Sequence, residues 1–140
     1  MPKPKTPSLT VDAVILVEKK KKIVLIRRKN PTYQGELALP GGFVDIGETV
    51  EAACIRETKE ETSLDVKINK LIGVFSRPER DPRGHTVSIA YLCTLKYWNQ
   101  KPKAEDDAES LEIHLISDIP SLDLAFDHMD IVKASGILEK

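Results

Sequence analysis

Two long apolar runs open the chain. VDAVILV (11–17) and IVLIRR (23–28) are rich in β-branched residues and flank the lysines 19–22, which predicts a β-hairpin with a solvated basic tip. Pro and Gly then break the pattern through NPTYQGELALPGGFVDIGE, leaving room only for short strands near 37–39 and 43–45. A helical period returns over 49–63, with Thr49 placed to cap it and Glu51 in the first turn, where a carboxylate suits the helix dipole. Strand-like runs follow at 66–76 and 85–98, joined by the loop RPERDPRG. The acidic AEDDAESLE leads into a short strand, IHLI, and a helix closes the chain over 126–138. Strands and helices alternate irregularly, so the expected class is α/β, with a mixed sheet flanked by helices rather than a doubly wound parallel one.

The helix over 49–63 carries an anomaly. At about 100° per residue, Val50, Ala53 and Cys54 share a stripe with Glu57, Glu60 and Glu61, so the apolar face runs straight into three carboxylates. Like charges at i, i+3 and i+4 repel, and near a helix C-terminus they also oppose the dipole. Either a cation lies among them or this end of the helix turns to solvent. Just upstream, Leu39-Pro40-Gly41-Gly42 permits a tight turn with backbone close to the carboxylates, and glycine carbonyls are suitable hard ligands for Mg²⁺.

Composition narrows the field. A chain of 140 residues, 41% of them hydrophobic, is one domain's worth and buries a core without disulfides; we expect a flexible arm over 1–7 and a single domain over 8–140. Its 21 basic and 22 acidic residues leave a net charge of −1, so no global field draws in nucleic acid or an anionic membrane. Any phosphate recognition must be local. Cys54 and Cys93 sit in apolar segments without CxxC spacing and read as reduced core residues, which suits a cytoplasmic protein. Nowhere do 18 apolar residues run together.

Read from Gly42, the sequence is G-FVDIG-E-TVEAACI-RE-T-K-EE-T-S-L, which resembles the Nudix box G-x5-E-x7-R-E-U-x-E-E-x-G-U, where U is bulky and apolar. Gly42, Glu48, Arg56, Glu57, Glu60, Glu61 and Leu64 stand where the pattern needs them. Thr58 takes a U position, and Ser63 replaces the second glycine, where a left-handed backbone would strain serine by about 1 kcal/mol. The resemblance implies a Nudix fold, an α/β/α sandwich around a mixed sheet with a loop-helix-loop motif. It also implies Mg²⁺- or Mn²⁺-dependent hydrolysis of a nucleoside diphosphate linked to a further moiety. On this reading Glu57, Glu60 and Glu61 supply metal oxygens, with the Gly41 carbonyl a further ligand, and Arg56 orients the glutamates through an ion pair with Glu48. The general base is either Glu57 or a glutamate of a later loop, Glu105 or Glu109.

The loop SRPERDPRGHTVS (76–88) narrows the substrate. Arg77, Arg80 and Arg83, stiffened by Pro78 and Pro82, form a basic loop able to meet phosphate, and Arg27 on the early hairpin joins them as a candidate of smaller effect. The loop is similar to the segment that follows the box in ADP-ribose pyrophosphatases, and LAFDH (124–128) looks like that subgroup's C-terminal helix start. ADP-ribose, cleaved to AMP and ribose 5-phosphate, is the substrate this implies. A house-cleaning triphosphate pyrophosphatase is the alternative. A non-catalytic nucleotide sensor fits less well, since the box is undamaged and only a short helix follows the last strand. His85 and His128 are read as local hydrogen-bonding residues, and Tyr33 and Phe126 as core, with stacking on adenine the alternative for both aromatics. The expected partner is a small nucleotide, with a homodimer left open.

Overall fold

The computed structural model describes residues 4–101 and 108–138, without the side chains of 108 and 109. Strand β1 (Ser8–Val17) turns at the lysine tip into β2 (Lys22–Arg28), as the apolar runs require. The two strands pair only through Leu16↔Ile23 and Val17↔Lys22 before they diverge. Two short strands fill the fork: β3 (Leu37–Ala38) on β2 and β4 (Gly41–Phe43) on β1, linked by Leu39 and Pro40. Strand β4 begins at Gly41, earlier than the expected 43–45. A Cβ at Gly41 would collide with the carbonyl oxygen of Val11, so this close pairing is open only to glycine.

The rest of the sheet extends outward from the hairpin. Strand β6 (Thr86–Leu95) lies parallel to β1, β5 (Val66–Phe75) is antiparallel to β6 at the outer edge, and β7 (Ala108–Leu115) is antiparallel to β2. The β7 strand reaches further into the acidic stretch than IHLI suggested, because its ladder runs the whole length of β2. Helix α1 (Val50–Thr62) covers one face of the sheet over Val11, Ala13, Ile15 and Cys93. Helix α2 (His128–Ala134) and the 3-10 helix Ile116–Ser121 cover the other over Val14, Leu16, Ile23 and Leu25. Odd residues of β1 face α1 and even ones face α2, which is the α/β/α sandwich with a mixed sheet. Helix α2 starts later than 126, since Phe126 has a positive φ of 55° that no right-handed helix accommodates.

The remaining expectations find their places. Thr49 caps α1, its hydroxyl accepting from the Ala52 amide at 3.1 Å. Ser63 adopts the left-handed conformation, φ 64° and ψ 11°. Cys54 and Cys93 are free, buried thiols with their sulfurs 3.9 Å apart across the α1–β6 interface. Among the described residues no helix is long and apolar enough to cross a membrane.

Candidate active site

The fork between β1 and β2 opens into a cleft of about 400 Å³. Helix α1 meets it with its carboxylate end, and the cation among those carboxylates is Arg56. Its Nε donates to Glu48 Oε2 at 2.7 Å and Nη2 to Glu48 Oε1 at 2.9 Å, a bidentate pair. Nη1 reaches Glu57 Oε1 at 2.8 Å and Glu60 Oε2 at 3.1 Å, while Nη2 also donates to the Phe43 carbonyl at 3.0 Å. One guanidinium thus ties three glutamates of the box to the loop that precedes them. The Arg56 hydrogen bonds hold the Glu48 carboxyl at about 2, well below its ordinary value. Burial pushes Glu57 up, against the pull of Arg56.

Backbone closes over the other oxygens. Gly41 N–H donates to Glu61 Oε1 at 2.7 Å, and a Cβ on Gly42 would strike the Glu57 carboxylate. Among the described residues no three acidic, histidine or cysteine side chains converge as a closed metal cage. The donor set still fits Mg²⁺ or Mn²⁺. Such ions take one or two carboxylates, keep several waters and complete their shell with substrate phosphates. Glu57 and Glu61 line the cleft beside the Gly41–Gly42 backbone, offering hard oxygens of that kind.

The arginines divide. Arg83 reaches the cleft, held by Asp81 at 2.7 Å and with its guanidinium 5.4 Å from the centre of the Phe126 ring. Arg28 approaches the same ring at 5.0 Å, and Tyr33 packs edge-on to it at 4.8 Å. Arg80 lines the floor but is buried, forming a bidentate pair with Asp127 at 2.9 and 2.6 Å. Burial opposes its charge, yet Asp127 and Asp12 outweigh that and raise its pKa. Arg77 is exposed and outside the lining of the cleft. Arg27 is outside it too: its Nε and Nη2 bind Glu112 of β7, at 2.8 and 2.6 Å, and Nη1 donates to the Gly35 carbonyl. Strand alternation explains this, since neighbours on β2 point to opposite sides and Arg28 takes the cleft side. Glu105 and the side chain of Glu109 lie outside the described residues.

Asp12 and Arg28 of the cleft lining escaped the sequence reading, as did Asp127, which pairs with Arg80. Asp12 was detectable, as a lone carboxylate inside an otherwise apolar strand. It is buried, accepts from the Ser88 hydroxyl at 2.5 Å and faces His128 Nε2 at 3.4 Å. Burial raises Asp12 and depresses His128, so the histidine sits there neutral.

The NUDIX domain model matches residues 6–134. An ADP-ribose pyrophosphatase of Methanocaldococcus jannaschii is 50% identical over 127 residues, covering 91% of this chain and 72% of that protein. The ADPR responsive transcriptional repressor NtrR of Acinetobacter baylyi is 31% identical, covering 91% of this chain and 52% of the repressor. Among solved structures, a bifunctional NMN adenylyltransferase/ADP ribose pyrophosphatase from Francisella tularensis, complexed with AMP and a Mn ion, superposes with a TM-score of 0.81. It is 31% identical and covers 92% of this chain and 41% of that one. With its box assembled around Arg56 and its domain matched almost end to end, the chain belongs to the Nudix family.

Proposed function

We propose that this Nudix hydrolase cleaves the diphosphate of ADP-ribose, with a bound Mg²⁺ or Mn²⁺, to give AMP and ribose 5-phosphate. The observation that carries the reading is that one cleft is lined by two clusters, Glu57 and Glu61 with the Gly41–Gly42 backbone, and Arg28 and Arg83 around Phe126. A diphosphate held by the first would leave the sugar or base it carries for the second. The 50% identity to the Methanocaldococcus jannaschii pyrophosphatase supports ADP-ribose over a nucleoside triphosphate.

The bound ion would lower the pKa of the attacking water and offset charge on the phosphate that leaves. Glu57 and Glu61, with the Gly41 carbonyl, would hold it; Arg56 keeps Glu57 and Glu60 in place. Water supplies the oxygen of the new P–O bond, the bridging P–O bond breaks, and the proton passes to a carboxylate. Among the described carboxylates Glu57 takes that proton, since it is half-buried at the cleft wall and touches Gly42. Arg83 meets the substrate's anionic or aromatic part.

A panel of ADP-ribose, other nucleotide sugars, dinucleotides and 8-oxo-dGTP, assayed with and without metal, tests the reading. ADP-ribose turnover that requires metal and falls by at least about a hundredfold in Glu57→Gln is expected. Equal loss in Glu105→Gln or Glu109→Gln, with Glu57→Gln spared, would move the base to the later segment. A nucleotide-responsive regulator is the second reading, supported by likeness to the Acinetobacter repressor. It predicts tight ADP-ribose binding with no turnover.

A further inference from the structure

The floor of the cleft holds a buried chain of polar groups that joins the arginine loop to the glycine turn. Leu39 and Pro40 bridge β3 and β4, so the Leu39 amide has no ladder partner. It donates instead to His128 Nδ1, at 3.0 Å, from a helix start 89 residues away. Because Nδ1 accepts, the ring proton sits on Nε2, which faces Asp12 Oδ1 at 3.4 Å. Asp12 lies opposite Gly41 in the β1–β4 register, takes a hydrogen bond from Ser88 and stands 3.9 Å from Arg80 Nη2. Arg80 is clamped by Asp127, the residue before His128, and donates to the Thr86 hydroxyl at 3.1 Å.

We propose that Arg80, Asp12 and His128 are positioning residues, which set the Leu39–Gly42 backbone at the height where Gly41 and Gly42 meet Glu61 and Glu57. The inference rests on the metal-site reading above. Backbone there is already in contact with both carboxylates, so a small shift of the turn displaces the oxygens that would bind metal. Arg80 thereby acts through the turn and not on the substrate, which accounts for its burial.

Two substitutions of one residue separate positioning from simple packing. The side-chain carbonyl of Asn falls where Nδ1 stands and accepts from Leu39, whereas the amide nitrogen of Gln reaches the Nε2 position and keeps only the Asp12 side. Hydrogen exchange at Leu39 and Mn²⁺ binding without substrate, read from the electron-spin signal of free Mn²⁺, are the measurements. For His128→Gln we expect loss of Leu39 protection and Mn²⁺ affinity weaker by about tenfold or more, while His128→Asn stays within about threefold of wild type. Arg80→Lys, which keeps charge and gives up the bidentate fork, is expected to lie between them. Wild-type Mn²⁺ affinity in a folded His128→Gln protein with an unprotected Leu39 amide would overturn the proposal. Equal weakening in His128→Asn and His128→Gln would overturn it as well. Failure of the wild-type protein itself to bind Mn²⁺ would instead sink the metal-site reading, and the proposal with it.

Discussion

Single residues of the box explain where this chain has traded stability away. Thr58, at a position the pattern reserves for a bulky apolar side chain, is buried and its hydroxyl has no partner among the described residues. Ser63 holds a left-handed φ of 64°, where glycine would sit without strain. Thr58→Val and Ser63→Gly are each expected to raise unfolding stability by about 0.5 to 1 kcal/mol in urea melts, with little change in turnover. Glu48 behaves in the opposite sense. Arg56 and the Asp45 amide hold its folded pKa at about 2, below the ordinary 4.5, so its contribution is present above that ordinary value and is lost as pH falls toward the folded one. Glu48→Gln should therefore lower the urea midpoint near neutral pH and lose that deficit as the pH approaches about 2. A deficit that persists unchanged through the acid range would mean packing, not charge, is what Glu48 provides.

At the scale of elements, the loop of residues 76–85 does two jobs with alternate arginines. Removing Arg80 leaves the buried Asp12 and the half-buried Asp127 without the cation that both approach. Arg80→Ala is therefore expected to cost about 3 to 5 kcal/mol of stability, which thermal or urea unfolding reads directly. Arg83 is partly exposed and points into the cleft, so Arg83→Ala should lower kcat/KM for ADP-ribose by about tenfold to a hundredfold with the fold intact. Sequence alone made these arginines equivalent, because charge and spacing in a proline-stiffened loop do not say which side chain turns inward. The helix and its carboxylates were legible, since a period of 3.6 and a capping threonine are local signals. A mixed sheet flanked by helices was legible from the irregular alternation of runs, while the α/β/α sandwich came only with the resemblance to the Nudix box. The fork was not: β3 and β4 are too short to carry a period, and the Leu39–His128 contact joins segments that no local pattern relates.

For the whole molecule, the cleft is a junction between elements that stay apart in sequence, so ligands that bridge it should stabilise the entire fold. Mn²⁺ at a hundredfold excess over its Kd is expected to add about 2.7 kcal/mol to unfolding stability, and EDTA to remove it. A melting curve indifferent to both would count against the metal-site reading, as would a wild-type protein that leaves free Mn²⁺ unbound. The parallel pairing of β1 with β6 has a consequence in time as well. It brings Asp12 beside Ser88, 76 residues along the chain, and such a closure must be made against chain entropy before its contacts compensate. A chain still leaving the ribosome can complete the β1–β2 hairpin and the carboxylate helix, yet has no floor beneath its cleft until β6 arrives and His128 docks. A chain truncated before β6 is therefore expected to carry the carboxylate motif without a formed cleft, which the absence of ADP-ribose turnover in such a fragment would check.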